Sequence, residues 1–118
     1  MSQLPDPFEG KPIIALDFDG VIHQYSGWNG GKLNEPIPGA KEAIVLFVNA
    51  GFRVVVFSTR DENMIKPWLQ LNDFPELEVC SEKPPAVVML DDRALTFDGV
   101  WTPELIARLA SFKPYWEQ

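Results

Sequence analysis

Pro12-Ile13-Ile14-Ala15-Leu16-Asp17-Phe18-Asp19-Gly20 is the stretch on which the reading of this chain turns. Residues 12–16 are apolar at successive positions, so both faces of an extended segment are apolar, as in a strand covered on both sides. The run ends abruptly in acids. Asp17 and Asp19 are two apart and point to the same side of an extended segment, while Phe18 points the other way, into the core. Gly20 lets the backbone turn away.

Working outward, the same pattern recurs. Residues 52–57, FRVVVF, form the clearest strand of the chain, rich in β-branched residues, and Ser58-Thr59-Arg60 follow it. Residues 86–90, AVVML, read as another buried strand and end in Asp91-Asp92. Residues 77–80 fit a short strand and 97–101 a short edge strand. Helical spacing of Ala40, Ala43, Ile44, Phe47 and Val48 predicts a helix over 38–50, ended by Gly51. A second helix is expected over 61–71, kinked or broken at Pro67. Thr102 and Pro103 open a last helix running to about Phe112. Residues 20–38, with four glycines and two prolines, read as a long loop or flap, and 1–11 as a loose leader.

The alternation of strands and helices predicts an α/β fold: a Rossmann-like three-layer sandwich with a mostly parallel central sheet, as one domain over 1–118. Ligands bind at the carboxyl ends of the strands in such sheets. That rule gathers Asp17 and Asp19, Ser58 and Thr59, and Asp91 and Asp92 at one edge.

Composition narrows the functions. Hydrophobic residues are 46% and charged residues 23%, an ordinary globular balance. Cys80 is the single cysteine, so no intramolecular disulfide forms. The start of the chain lacks a basic region followed by an apolar run, and no stretch approaches the ~20 apolar residues of a membrane helix, so a cytoplasmic protein is expected. The net charge of −7 disfavours nucleic acid and anionic membrane as partners, though it leaves a phosphorylated nucleic-acid end open. It also repels a phosphorylated substrate, which therefore needs a local source of positive charge.

Clustered carboxylates repel one another, and a hard divalent cation relieves that. Asp17, Asp91 or Asp92, and a backbone carbonyl make an oxygen-rich set suited to Mg²⁺. A carboxylate can then attack phosphorus, and a second one can protonate the leaving oxygen and activate water. Ser58 and the amides after it can bind phosphoryl oxygens, with the N-terminus of the next helix facing the site. Lys83 can supply a fixed cation. Each feature has a plainer counterpart as a turn former, a helix cap or a solvated charge. Their order at the ends of parallel strands favours chemistry.

That ordered set resembles the haloacid dehalogenase superfamily of phosphohydrolases. Asp17-Phe18-Asp19-Gly20-Val21 matches its first motif, Ser58 its second, Lys83 its third and Asp91-Asp92 its fourth, over about Lys11 to Leu109. The resemblance implies Asp17 as nucleophile, forming an aspartyl-phosphate. It implies Asp19 as general acid/base and giver of a backbone carbonyl to Mg²⁺. Ser58 and Lys83 hold the phosphoryl group, and Asp91 and Asp92 complete the metal site, with the direct ligand left open between them. FSTR followed by LDDR is also similar, locally, to the phosphatase half of polynucleotide kinase-phosphatases. That makes Arg60, beside Thr59, a phosphate contact, against a surface salt bridge. Short phage and bacterial proteins of unassigned substrate share the resemblance.

Many members of that family insert a cap domain. Here about 18 residues separate Asp19 from the first helix, enough for a flap and too few for a folded cap. A capless, open site is expected, suited to a small or bulky phosphorylated substrate or to an oligomer that covers it. His23, Tyr25 and Trp28 on the flap either contact substrate or pack the flap against the body. One histidine and one distant cysteine make no zinc site. Trp68, Trp101 and Trp116 are expected in the core or in helix packing. Two other classes stay in view: a signalling phospho-acceptor, disfavoured by the order of the acids, and a non-catalytic binding module.

Overall fold

The computed structural model describes residues 10–118; the leader expected over 1–11 lies largely outside the described residues. The elements are β1 (Ile13–Asp17), α1 (Ala40–Asn49), β2 (Arg53–Phe57), α2 (Glu62–Leu71), β3 (Glu78–Cys80), β4 (Val88–Leu90), α3 (Pro103–Ala110) and a 3-10 turn (Tyr115–Glu117). The strands form one sheet in the order β3-β2-β1-β4. All three pairings are parallel: Ile14 faces Val54 and Val88, and Asp17 faces Phe57. This is the α/β, Rossmann-like arrangement that the alternation of elements predicts.

β1 lies between two neighbours and is buried on both faces, with Ile14, Ala15 and Leu16 all inside. Ile14, Leu16, Val54 and Val56 share one face and pack with Ile44 of α1 and Ile65, Trp68 and Leu69 of α2. Each such aliphatic side chain contributes roughly 1.5–3 kcal/mol on burial. Phe18 is fully buried in the same cluster, as its alternation with the acids requires.

α1 ends where Gly51 predicts. Gly51 has φ 93°, its N–H donates to Val48 O, and the Phe52 N–H donates to Phe47 O. The Phe47 and Phe52 rings meet edge to face at 6.3 Å, completing a Schellman ending with its apolar contact.

Several expectations are corrected. α2 runs from Glu62 to Leu71 through Pro67, so the helix does not break there. Its buried Ile65, Trp68 and Leu69 straddle the proline and hold the helix against the core. Residues 97–101 form no strand: Gly99 takes φ 96° and the Asp98 carboxylate accepts from the Val100 N–H at 3.1 Å, making a local turn. Trp101 is 67% exposed rather than in the core. With no strand beyond it among the described residues, β4 is the edge strand of the described sheet, and its Val88 and Leu90 are exposed rather than buried. α3 is capped by Thr102, whose hydroxyl accepts from the Leu105 N–H, and it ends at Ala110 without burying a residue.

No helix among the described residues is long and apolar enough to cross a membrane.

Candidate functional site

The strand order reverses direction between β1 and β4, where a parallel sheet opens a crevice at its carboxyl edge. Asp17 closes β1, and Asp91 and Asp92 follow β4. Carboxylate oxygens of these three residues lie within 4.8 Å of one another. They line a cavity of ≈ 270 Å³ together with Asp19, Tyr25, Phe57, Ser58, Thr59 and Arg93.

Gly20 makes room for this cluster. It has φ 87°, and a Cβ there would stand 2.3 Å from Asp92 Oδ2. Asp92 is also tied down from the far end of the chain. The Trp116 indole N–H donates to Asp92 Oδ2, and the Tyr115 hydroxyl donates to the Gly20 carbonyl at 2.7 Å. Trp116 meets the edge of Tyr25 at 4.9 Å, and the Arg93 guanidinium lies over its ring at 5.0 Å. Trp116, expected in the core or in helix packing, thus steadies the acidic cluster. Asp91 Oδ1 accepts the Arg93 N–H at 2.9 Å, which fixes the turn after β4.

Burial pushes the Asp17 carboxyl up to about 8, helped by a hydrogen bond with Asp92 and by the charges of Asp91, Asp92 and Asp19. Asp19 differs. Burial alone would raise it, but hydrogen bonds from His23 and Arg60 and the charge of Arg60 bring it below the ordinary carboxylate range. Its Oδ1 lies 2.8 Å from His23 Nδ1 and its Oδ2 2.8 Å from Arg60 Nε.

His23 is fully buried, stacked on Phe18 at 5.0 Å and against the edge of Trp68. The backbone N–H of Asn34 can only donate, and it reaches His23 Nε2 at 2.7 Å. Nε2 is therefore unprotonated, and Nδ1 carries the hydrogen that goes to Asp19. Trp68 Nε1 in turn holds the Asn34 carbonyl at 2.9 Å. His23 is thus not a substrate contact on the flap surface but a buried support for Asp19. The two ends of the flap are tied to each other by backbone hydrogen bonds, with Gln24 N donating to Glu35 O and Ile37 N to Ile22 O.

Ser58 is buried. Its N–H donates to the Cys80 carbonyl, and its hydroxyl oxygen accepts the Arg60 N–H at 3.0 Å, leaving the hydroxyl hydrogen for a ligand. Arg60 is not a surface salt bridge: its side chain is 5% exposed. Nor does it line the Asp17 cavity. Lys83 is exposed on the β3–β4 connection and does not line the cavity either; Arg93 is the cation that does. The N-terminus of α2 is capped by Asp61, which accepts the Asn63 N–H, and with Thr59 it lines a neighbouring hollow.

Sequence reasoning missed Arg93, Tyr115 and Trp116. For Arg93 the position beside Asp91-Asp92 was the available signal; the C-terminal pair left none.

No family model matches the chain, and no curated protein sequence matches it. Its fold is similar to that of a solved structure of a conserved protein from Bacteroides thetaiotaomicron, with a TM-score of 0.60 and 22% identity over 86% of this chain and 90% of that one. That likeness defines the fold class alone.

Proposed function

We propose that the chain is a phosphomonoester hydrolase of the haloacid dehalogenase type, dependent on Mg²⁺, with Asp17 as nucleophile. The observation that carries this reading is the convergence of Asp17, Asp91 and Asp92 at the β1/β4 crevice, beside Asp19 and Ser58. Burial, with Asp91 and Asp92 beside it, holds the Asp17 carboxyl up to about 8, and three carboxylates so placed form a donor set that a hard cation fits. Asp17, Asp91 and Asp92 would hold Mg²⁺, which would screen their charge from an incoming phosphate.

In the first half of the reaction a carboxylate oxygen of Asp17 attacks phosphorus. The bond to the leaving oxygen breaks, and Asp19 in its protonated form gives that oxygen its proton. In the second half, water attacks the aspartyl-phosphate, Asp19 takes its proton, and Asp17 is released with inorganic phosphate. An Asp19 held ionised by His23 and Arg60 suits this second half. It is a poor proton donor in the first, so phosphates of good leaving groups should be turned over fastest. The Ser58 hydroxyl and the Arg93 side chain stand at the cavity wall to hold phosphoryl oxygens.

A Mg²⁺-dependent screen of phosphomonoesters tests the reading. Hydrolysis of an aryl phosphate is expected in the unmutated protein and in no Asp17→Asn preparation, with unchanged circular dichroism. A silent unmutated protein across the panel would favour a binding or signalling module instead.

A further inference from the structure

Arg60 has more hydrogen-bonding capacity than its surroundings use. Its Nε donates to Asp19 Oδ2, but Nη1 and Nη2 are both closed off from solvent with no hydrogen-bond partner among the described residues. A guanidinium carries five N–H groups in a fixed planar fork, so four of them are unmet. What covers them is aromatic. The Arg60 guanidinium carbon lies 5.0 Å from the centre of the Trp28 ring and 6.0 Å from that of Tyr25. A ring face attracts the positive charge but offers no acceptor to in-plane N–H groups. Trp28 is itself 67% exposed, so this aromatic cover lies at the surface.

Position decides what this fork can hold. Asp19 and Tyr25 line the cavity around Asp17, and Arg60 does not. The Asp19 carboxylate therefore stands between the guanidinium and the reacting centre. In the proposed reaction Asp19 serves the leaving oxygen. A group gripped beyond it belongs to the leaving group, not to the transferring phosphoryl group.

We propose that Arg60 Nη1 and Nη2 receive a second anionic group, a carboxylate or a phosphate, carried on the leaving group of the substrate. Tyr25 and Trp28 are the aromatic cover that gives way to it. The planar fork matches either anion through two parallel hydrogen bonds. On a chain of net charge −7, this buried cation is the local attraction a doubly anionic substrate needs. The inference rests on the phosphatase reading and narrows its substrate class.

The test uses 3- and 4-carboxymethylphenyl phosphates and 3- and 4-(phosphonomethyl)phenyl phosphates, each against its methyl ester, with Mg²⁺. The methylene insulates the leaving oxygen, so each pair differs in charge and not in reactivity. The full chain should turn over at least one acid with a kcat/KM about tenfold or more above its ester, mainly through KM, since a charge-assisted pair contributes that much. The better arm tells carboxylate from phosphate. Arg60→Lys, which keeps the charge and loses the fork, should bring the ratio close to one. Where that variant no longer turns over, calorimetric binding of the non-hydrolysable phosphonomethyl analogues gives the same ratio. Ratios near one for every pair, with the esters still hydrolysed, overturn the inference and leave the phosphatase reading standing. A ratio that survives Arg60→Lys overturns the assignment to Arg60. No hydrolysis of any ester or acid removes the phosphatase reading, and this inference with it.

Discussion

β1 and β4 look alike in sequence, each an apolar run closed by acids, but they sit differently in the fold. β1 is flanked on both sides and buries Ile14, Ala15 and Leu16; β4 is an edge strand that exposes Val88 and Leu90. Burial depends on neighbours, and among the described residues β4 has one where β1 has two. The placement of the acids depends only on parallel topology, and there the strands agree. Asp17 from one and Asp91 and Asp92 from the other meet at the same crevice. An apolar run ending in acids therefore predicts where the acids go better than it predicts how deeply the strand is buried.

The largest effects should fall on the acids themselves and should separate the two strands. Asp17→Asn removes the proposed nucleophile and should lower kcat by at least ~10³-fold. Asp91→Asn or Asp92→Asn removes a proposed metal contact, and Asp92→Asn also alters the hydrogen bonds with Asp17 and the Trp116 indole. A loss of ~10–100-fold is expected, of the size that weakened metal ligation causes, partly restored by raising Mg²⁺. Equal losses in all three, with no rescue, would erase the distinction between nucleophile and metal ligands.

Stability should divide the strands next. Leu16→Ala opens a cavity in the shared core and should cost about 2–5 kcal/mol in urea unfolding. Leu90→Ala trims an exposed side chain and should cost under about 1 kcal/mol. Comparable losses would mean that β4 is covered in solution by something other than the described residues.

The smallest effect is one of pH. The Asp17 carboxyl titrates at about 8 in the folded chain against an ordinary 3.8, so folding takes up a proton between those values. Stability without metal therefore falls as pH rises from about 4 toward 8. Solvent screening leaves the equivalent of ~1 kcal/mol, a drop in melting temperature of ~5 °C for a domain of this size. Millimolar Mg²⁺ should flatten the slope, because it binds the ionised carboxylates and competes with the proton. A metal-free melting curve that is flat or rising over this range would contradict the account of the acidic cluster.

Much of the fold was legible in the chain. The apolar runs ending at Leu16 and Phe57, the helical spacing around Ile44 and the Gly51 ending are local signals, and the structure follows them. So was the meeting of Asp17 with Asp91 and Asp92, because the parallel-sheet rule needs only strand order. The rest depends on contacts without a period. Arg60 reaches Asp19 across 41 positions and Tyr115 reaches Gly20 across 95, and no spacing in the sequence marks either. Lys83 fitted its motif by order alone, while Arg93 reaches the cavity because it stands one residue past the acidic pair. His23 looked like a flap residue because its segment is rich in glycine. Its burial comes from Phe18, just past β1, and Trp68 of α2 closing on it.

The most direct test of the central claim is to trap the covalent intermediate. The protein is mixed with an aryl phosphate and Mg²⁺, quenched in acid and reduced with borohydride, which converts an aspartyl-phosphate to homoserine; peptide mass spectrometry then locates it. Homoserine at position 17 and nowhere else is the result the account expects. Homoserine at position 91 or 92, or hydrolysis that proceeds with none at 17, would contradict it.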